Sequence, residues 1–172
     1  YHSIGVTMGT YLFKNISLSA TFSGQEDNLT NRQIYTTRGY VYSTNASARI
    51  GEHINMAASY SGYLTTQGDG TERVNDTTKV KRIMHSVTFT PSYTTENEIL
   101  AHTVSLSTSW SQNKDLNKFS TGAGDYTSLA LGLTYDLGVK GWDMDFITSL
   151  SHQNTKGSGT RYTSDVASFT TS

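Results

Sequence analysis

Apolar side chains recur at every second position along most of the chain. That is the repeat of an extended strand, whose successive side chains leave on opposite faces, and it excludes the three-to-four spacing of an amphipathic helix. The cleanest stretch is Ile16 to Ser23, with Ile16, Leu18, Ala20 and Phe22 on one side and Ser17, Ser19, Thr21 and Ser23 on the other. The same dyads appear at Ile54/Met56/Ala58/Tyr60, at Leu100/His102/Val104/Leu106, at Leu129/Leu131/Leu133/Tyr135 and at Trp142/Met144/Phe146. A chain patterned this way folds as sheet, with almost no helix.

The polar half of each dyad is unusual. Ser and Thr account for 49 of the 172 residues, while charged residues make up only 16%, against roughly 25% in ordinary globular domains. Thirteen basic residues nearly balance 14 acidic ones, which argues against a nucleic-acid partner. There is no cysteine, so disulfides, thiol catalysis and thiolate metal sites are excluded. No apolar run approaches the ~20 residues of a membrane helix. The chain opens at Tyr1 in strand-like text without a basic leader, which predicts a processed product or an excised fragment. Residues 1–172 are expected to form one domain.

The pattern predicts nine strands, at 3–12, 16–25, 35–50, 54–67, 80–93, 98–112, 125–137, 142–155 and 160–171. Most are longer than the ~5–6 residues usual in globular sheets and match or exceed the ~9–11 that cross a bilayer at a tilt. Tight turns at 13–15, 51–53, 94–97 and 138–141 alternate with polar loops near 26–34, 68–79 and 113–124 and a shorter one around 156–159, which is the layout of an antiparallel up-and-down meander with all tight turns at one end. Hairpin neighbours must place their apolar sets on one side of the sheet. The turn at 51–53 accordingly pairs Ile50 with Ile54 and Ala48 with Met56. The turn at 94–97 pairs Val87 with Val104 and Phe89 with His102, and that at 138–141 pairs Leu137 with Trp142 and Leu133 with Phe146. Pro91 lacks a ladder donor and predicts a bulge or a local break.

Alternation alone does not say whether the apolar face turns inward, as in a soluble sandwich, or outward to lipid, as in a transmembrane barrel. Tyr11, Phe13, Tyr93, Tyr135 and Trp142 fall near the tight turns, and Phe22, Tyr40, Tyr63, Trp110, Tyr126 and Tyr162 nearer the long loops. Two aromatic levels match the interfacial girdles of a membrane barrel. On Ile16–Ser23, Val87–Tyr93 with Leu100–Trp110, and Leu129–Tyr135 with Trp142–Leu150, the chain resembles outer-membrane β-barrel proteins of Gram-negative bacteria, with a Ser/Thr/Tyr/Asn-rich texture similar to those of Bacteroidota. The resemblance covers nearly the whole chain and is one of architecture, without a family signature. It implies an all-β fold, an antiparallel up-and-down meander forming a transmembrane barrel or a segment of a larger one, in the cell outer membrane. It further implies tight turns toward the periplasm and long loops outside. The partners implied are membrane lipid and lipopolysaccharide, together with remaining barrel strands, a plug or a partner subunit.

Chemistry-bearing constellations are sparse. The five histidines form no close ligand set, and the register above keeps His85 away from His102. Outer-membrane phospholipases use a membrane-facing His and Ser, but no His-x-Ser occurs here. Asp136, Asp143 and Asp145 could form a carboxylate cluster, because a 138–141 turn sets Asp136 opposite Asp143, but solvated lumen or rim charges are the better reading, since most acids are simply exposed. Arg73, Lys79, Lys81 and Arg82 gather around the second long loop, placed to meet anionic lipopolysaccharide or solute or simply solvated. Asn15, Asn28, Asn45 and Asn75 match the N-glycosylation pattern at the rate chance allows in such a composition. The expectation is a noncatalytic barrel or barrel segment without cofactor or metal, its lumen either a solute-passing pore or plugged. The alternative is a secreted or cell-surface β-sandwich that binds through its long loops.

Overall fold

The computed structural model describes residues 2–12, 14–27, 35–69, 80–117, 122 and 124–171. Nine strands follow one another: β1 (His2–Leu12), β2 (Ile16–Glu26), β3 (Tyr35–Ile50), β4 (Ile54–Asp69), β5 (Val80–Glu96), β6 (Leu100–Asp115), β7 (Tyr126–Val139), β8 (Met144–Gly157) and β9 (Arg161–Thr171). All nine join a single sheet in sequence order, and every neighbouring pair is antiparallel. There is no helix among the described residues. The sheet is open, with β1 and β9 at its two edges. Among the described residues no second sheet stacks on it.

Parity is kept across the whole sheet. The row Leu12, Ile16, Ala48, Met56, Pro91 lies on one face, and Leu106, Leu133, Leu150 and Ala167 continue it in register on the far side of the β5–β6 junction. Ser17, Ser47, Ala57 and Thr90 form a row on the opposite face. The 51–53 turn pairs its strands as the sequence predicts, with Ile50 opposite Ile54 and Ala46 opposite Ala58, and Gly51 takes φ 63° there.

Two other hairpins differ from expectation. Val87 lies opposite Trp110 and Phe89 opposite Thr108, because β5 runs on to Glu96 and the turn sits at 97–99. Asn97 sets it: its Oδ1 accepts from the backbone N–H of Ile99 at 2.9 Å and of Leu100 at 2.7 Å, an Asx turn that leaves Thr94 and Thr95 in the ladder. Likewise Leu137 pairs with Phe146 and Leu133 with Leu150. The turn there spans 140–143, closed by the Trp142 N–H to the Val139 carbonyl at 3.1 Å, with Asp143 at φ 52°. Both slips are even in number, so every side chain keeps the expected face.

Pro91 gives a break without a bulge. The β5–β6 ladder omits Thr90 and Pro91 but resumes at Ser92↔Ser105 in the register it had at Phe89↔Thr108, whereas the β4 ladder runs through Pro91. The missing proline donor therefore faces β6.

The turns are staggered. Measured from the pairing across each junction, the second tight hairpin extends two residues past the first (Ala48 to Ile50), the third extends three past the second (Tyr93 to Glu96), and the fourth extends one past the third (Gly138 to Val139). The mean is one residue per strand. A shift of ~3.3 Å along the chain per ~4.8 Å across the sheet inclines the strands by about 35° to the line of turns, at the low end of the ~35–45° found in transmembrane barrels. Backbone bonds from Arg49 N–H to Asn15, Thr94 N–H to His53 and Lys140 N–H to Ile99 tie each turn to the next strand.

Candidate functional site

The two faces of the sheet are the candidate functional surfaces of this chain. No hydrophobic side chain among the described residues is buried. The apolar set is exposed instead: Val104 is 40% accessible, Leu133 43% and Leu150 52%. Along β7, Leu129, Leu131, Leu133 and Tyr135 are exposed while Ala130, Gly132, Thr134 and Asp136 between them are half-buried. The polar face is thus the more enclosed one, the reverse of a soluble sheet packed on its core. From Leu129 to Val139 every outward residue of β7 is apolar. Ten residue steps rise ~33 Å along the strand, or about 27 Å at a 35° incline, close to the ~25 Å apolar band of membrane barrels.

On the polar face, hydroxyls pair across the strands. Directly opposed side chains share hydrogen bonds at Ser17–Ser47 (2.6 Å), Ser59–Thr88 (2.6 Å), Ser128–Thr155 (2.8 Å) and Ser149–Ser168 (2.6 Å). Such pairs satisfy one another without charge and hold register on a surface that packs against nothing. Charges on this face stand toward the ends of the strands, as with Arg49, Asp136 and Asp145 near the tight turns and Arg82 opposite Asp115 near the long loops.

Aromatics on the apolar face sort into two groups. Tyr93, Tyr135, Phe146 and Phe169 stand toward the tight turns, Phe146 stacked on Phe169 with centroids 6.5 Å apart. Phe22, Tyr40, Tyr42 and Trp110 stand toward the long loops, Phe22 stacked on Tyr40 at 6.4 Å. Tyr11, Tyr63, Tyr126 and Tyr162, counted with these levels from sequence, have the opposite parity and belong to the polar face. Phe13 lies outside the described residues. Tyr60 and Phe146 were on the apolar face in the sequence dyads; Tyr42 and Phe169 were not singled out, and parity from the hairpin registers is the signal that finds them.

Three histidines in strands are packed on partners. His85 Nδ1 shares a 2.8 Å hydrogen bond with Tyr60 Oη and stacks on that ring at 6.0 Å, with Tyr42 against both. His102 Nδ1 does the same with Tyr135 Oη at 2.7 Å. His102 lies opposite Thr95 and Leu137, not Phe89, and remains apart from His85. Tyr42 in turn covers Gly62, whose missing side chain leaves the space that the ring fills. A third histidine pair escaped the sequence reading, since His152 Nδ1 meets Asp165 Oδ1 at 2.6 Å across β8 and β9.

The candidate carboxylate cluster does not assemble. Asp136 faces Thr103 and Ile147, Asp143 is in the turn, and Asp145 lies opposite Gly138 with its carboxylate over that glycine. Moving the turn to 140–143 removes the Asp136–Asp143 pairing. Among the described residues no group of three or more acidic or histidine side chains could hold a metal. The basic cluster also divides: Lys81 takes the parity of the apolar face and Arg82 that of the polar face, while Arg73 and Lys79 lie outside the described residues. Asn15 is in the first tight turn and Asn45 on the polar face; Asn28 and Asn75 lie outside the described residues.

The geometry defines a class: an all-β, open, antiparallel nine-stranded meander with one apolar and one hydroxyl-lined face. No protein-family model matches the chain, and no curated protein matches it.

Proposed function

We propose that the chain is a noncatalytic outer-membrane β-barrel protein or a segment of one, with its apolar face in lipid and its hydroxyl-lined face around a lumen that passes polar solutes. One observation carries this: an exposed apolar face that spans the sheet, interrupted toward the β9 edge by the His152–Asp165 pair, with no hydrophobic core behind either face among the described residues. Left in water, a patch this wide far exceeds the few hundred Å² that monomeric proteins tolerate. Lipid removes the penalty, and the ~27 Å band and ~35° incline suit a bilayer. A sandwich would need a second sheet, and all nine strands are spent in one.

The open edges point the same way. Lipid leaves unmet backbone groups at several kcal/mol each, so β1 and β9 require neighbours. Both are odd members of an antiparallel series and run in the same direction. Direct closure would demand a parallel pair, whereas antiparallel closure takes an odd number of further strands, from the same protein or a partner subunit. The total is then even, as in bacterial barrels. Heat-modifiable gel mobility tests the proposal: the protein containing this chain should need detergent for extraction and migrate faster unheated than boiled. Release into buffer with one mobility would overturn it.

A further inference from the structure

Where the long loops leave the sheet, the apolar face ends in a row of cations. Lys81, Lys114, Lys156 and Arg161 all share its parity. Lys114 and Lys156 lie four residues past Trp110 and His152 on their strands, and Lys81 lies two past Ile83, the residue opposite Lys114. Among the described residues none of the four has an acidic partner within ion-pair distance, and Arg161 Nε donates only a 3.4 Å bond to Asn154 Oδ1. Lys156 stands directly opposite Arg161, a like-charge arrangement that is unfavourable unless an anion lies between. Beside it is a depression of about 420 Å³ lined by Gln112, Lys114, Thr127 and Lys156. Asp125 also borders it, but its carboxylate is engaged by the Asp115 N–H at 2.8 Å.

Elsewhere several basic side chains stand with acidic ones. On the polar face at this level Arg82 lies opposite Asp115. At the tight-turn end Lys140 Nζ bonds Glu96 at 2.8 Å, and Asp143, Asp145 and Glu98 stand nearby in sequence. On the apolar face, Arg38 Nε bonds Glu26 at 3.0 Å. At the loop end, β5 to β9 carry four basic side chains on the apolar face that have no ion-pair partner among the described residues and stand beside exposed hydrocarbon.

We infer that Lys81, Lys114, Lys156 and Arg161 bind the phosphate groups of an anionic lipid whose acyl chains lie against Trp110, Leu129 and Leu131. The inference rests on the barrel proposal and adds a lipid site to it. A soluble phosphate would satisfy the cations alone, whereas a ligand with a phosphate head and a hydrocarbon tail satisfies the cations and the adjoining apolar strip together. Each basic residue at such a surface strengthens attraction roughly fivefold.

The test uses the full protein, inserted into phosphatidylcholine vesicles with or without a diphosphorylated lipid of the lipid A type, with retained lipid measured by native mass spectrometry. The triple variant K114Q/K156Q/R161Q should insert as the parent does yet lose on the order of 100-fold in retention, while K14Q/K140Q at the other rim should retain the lipid. Equal retention by parent and triple variant overturns the site. Full displacement of the lipid by millimolar inorganic phosphate reassigns the cations to a soluble anion and overturns it too. Failure of the parent to insert even into phosphatidylcholine overturns the barrel proposal itself.

Discussion

Leu133 sits near the middle of the β7 apolar run, four residues from Leu129 and six from Val139, between Leu106 and Leu150 on the neighbouring strands. At 43% accessibility it touches no buried core. If water is its solvent, Leu133→Arg changes a surface residue and shifts stability by no more than about 0.5 kcal/mol. If hydrocarbon is its solvent, an arginine near the bilayer midplane costs about 2–4 kcal/mol, falling to about 0–1 near the interfaces. The hydrocarbon cost amounts to roughly 30- to 900-fold in the folded-to-unfolded ratio. Equilibrium urea unfolding in vesicles, followed by tryptophan fluorescence, reads this directly. Arginine at 129, 131, 133, 135, 137 and 139 in turn should give a cost that peaks near 133 and fades at both ends. Thr134→Arg, one residue away on the polar face, should cost far less. A flat profile, or a Thr134→Arg as damaging as Leu133→Arg, would refute the reasoning.

Gly62→Ala puts a methyl group where the Tyr42 ring lies and should destabilise by about 1–3 kcal/mol; in urea unfolding, the Tyr42→Ala/Gly62→Ala double variant should lose less than the sum of the two single variants. Asn97→Ala removes the acceptor for the Ile99 and Leu100 N–H groups, a loss of about 0.5–1.5 kcal/mol, while Asn97→Asp should retain most of it in the same assay. The Glu96 carboxyl is held below its ordinary value by the hydrogen bond from Lys140 and then by its charge. Its small contribution is therefore present above the unfolded carboxyl value near 4.3 and lost as pH falls through the lowered folded one. The stability gap between parent and Glu96→Gln should close on acidification, and a gap that widened would contradict the assignment.

Strand number, order and facing were legible because a period of two is self-consistent across neighbours: Ile16, Ala48 and Met56 must share a side if any does. Register was legible where a short turn was fixed locally, as at Gly51. A slip by an even number leaves every apolar residue on its own face, so hydrophobic pattern is blind to it. The decision passed to local bonds, the Asn97 side chain in one hairpin and the 140–143 turn in another. The acid pair at Asp136 and Asp143 was an artefact of one such slip. The aromatic levels suffered from a different blindness, since nearness to a turn says nothing of parity, and Tyr63 and Tyr126 proved to share the polar face with Ser61 and Ser128. Lys156 and Arg161 became neighbours only once the last hairpin was closed around residues 158–160.

The parent chain contains no cysteine, so single cysteines can be placed from 128 to 138 and spin-labelled in reconstituted vesicles. Collision with oxygen, which concentrates in hydrocarbon, against collision with a water-soluble nickel chelate then reports the solvent at each position. Labels at 129, 131, 133, 135 and 137 should favour oxygen, and those at 128, 130, 132, 134 and 136 the chelate. Chelate access at every position, or oxygen preference on the even set, would contradict a lipid-facing apolar surface.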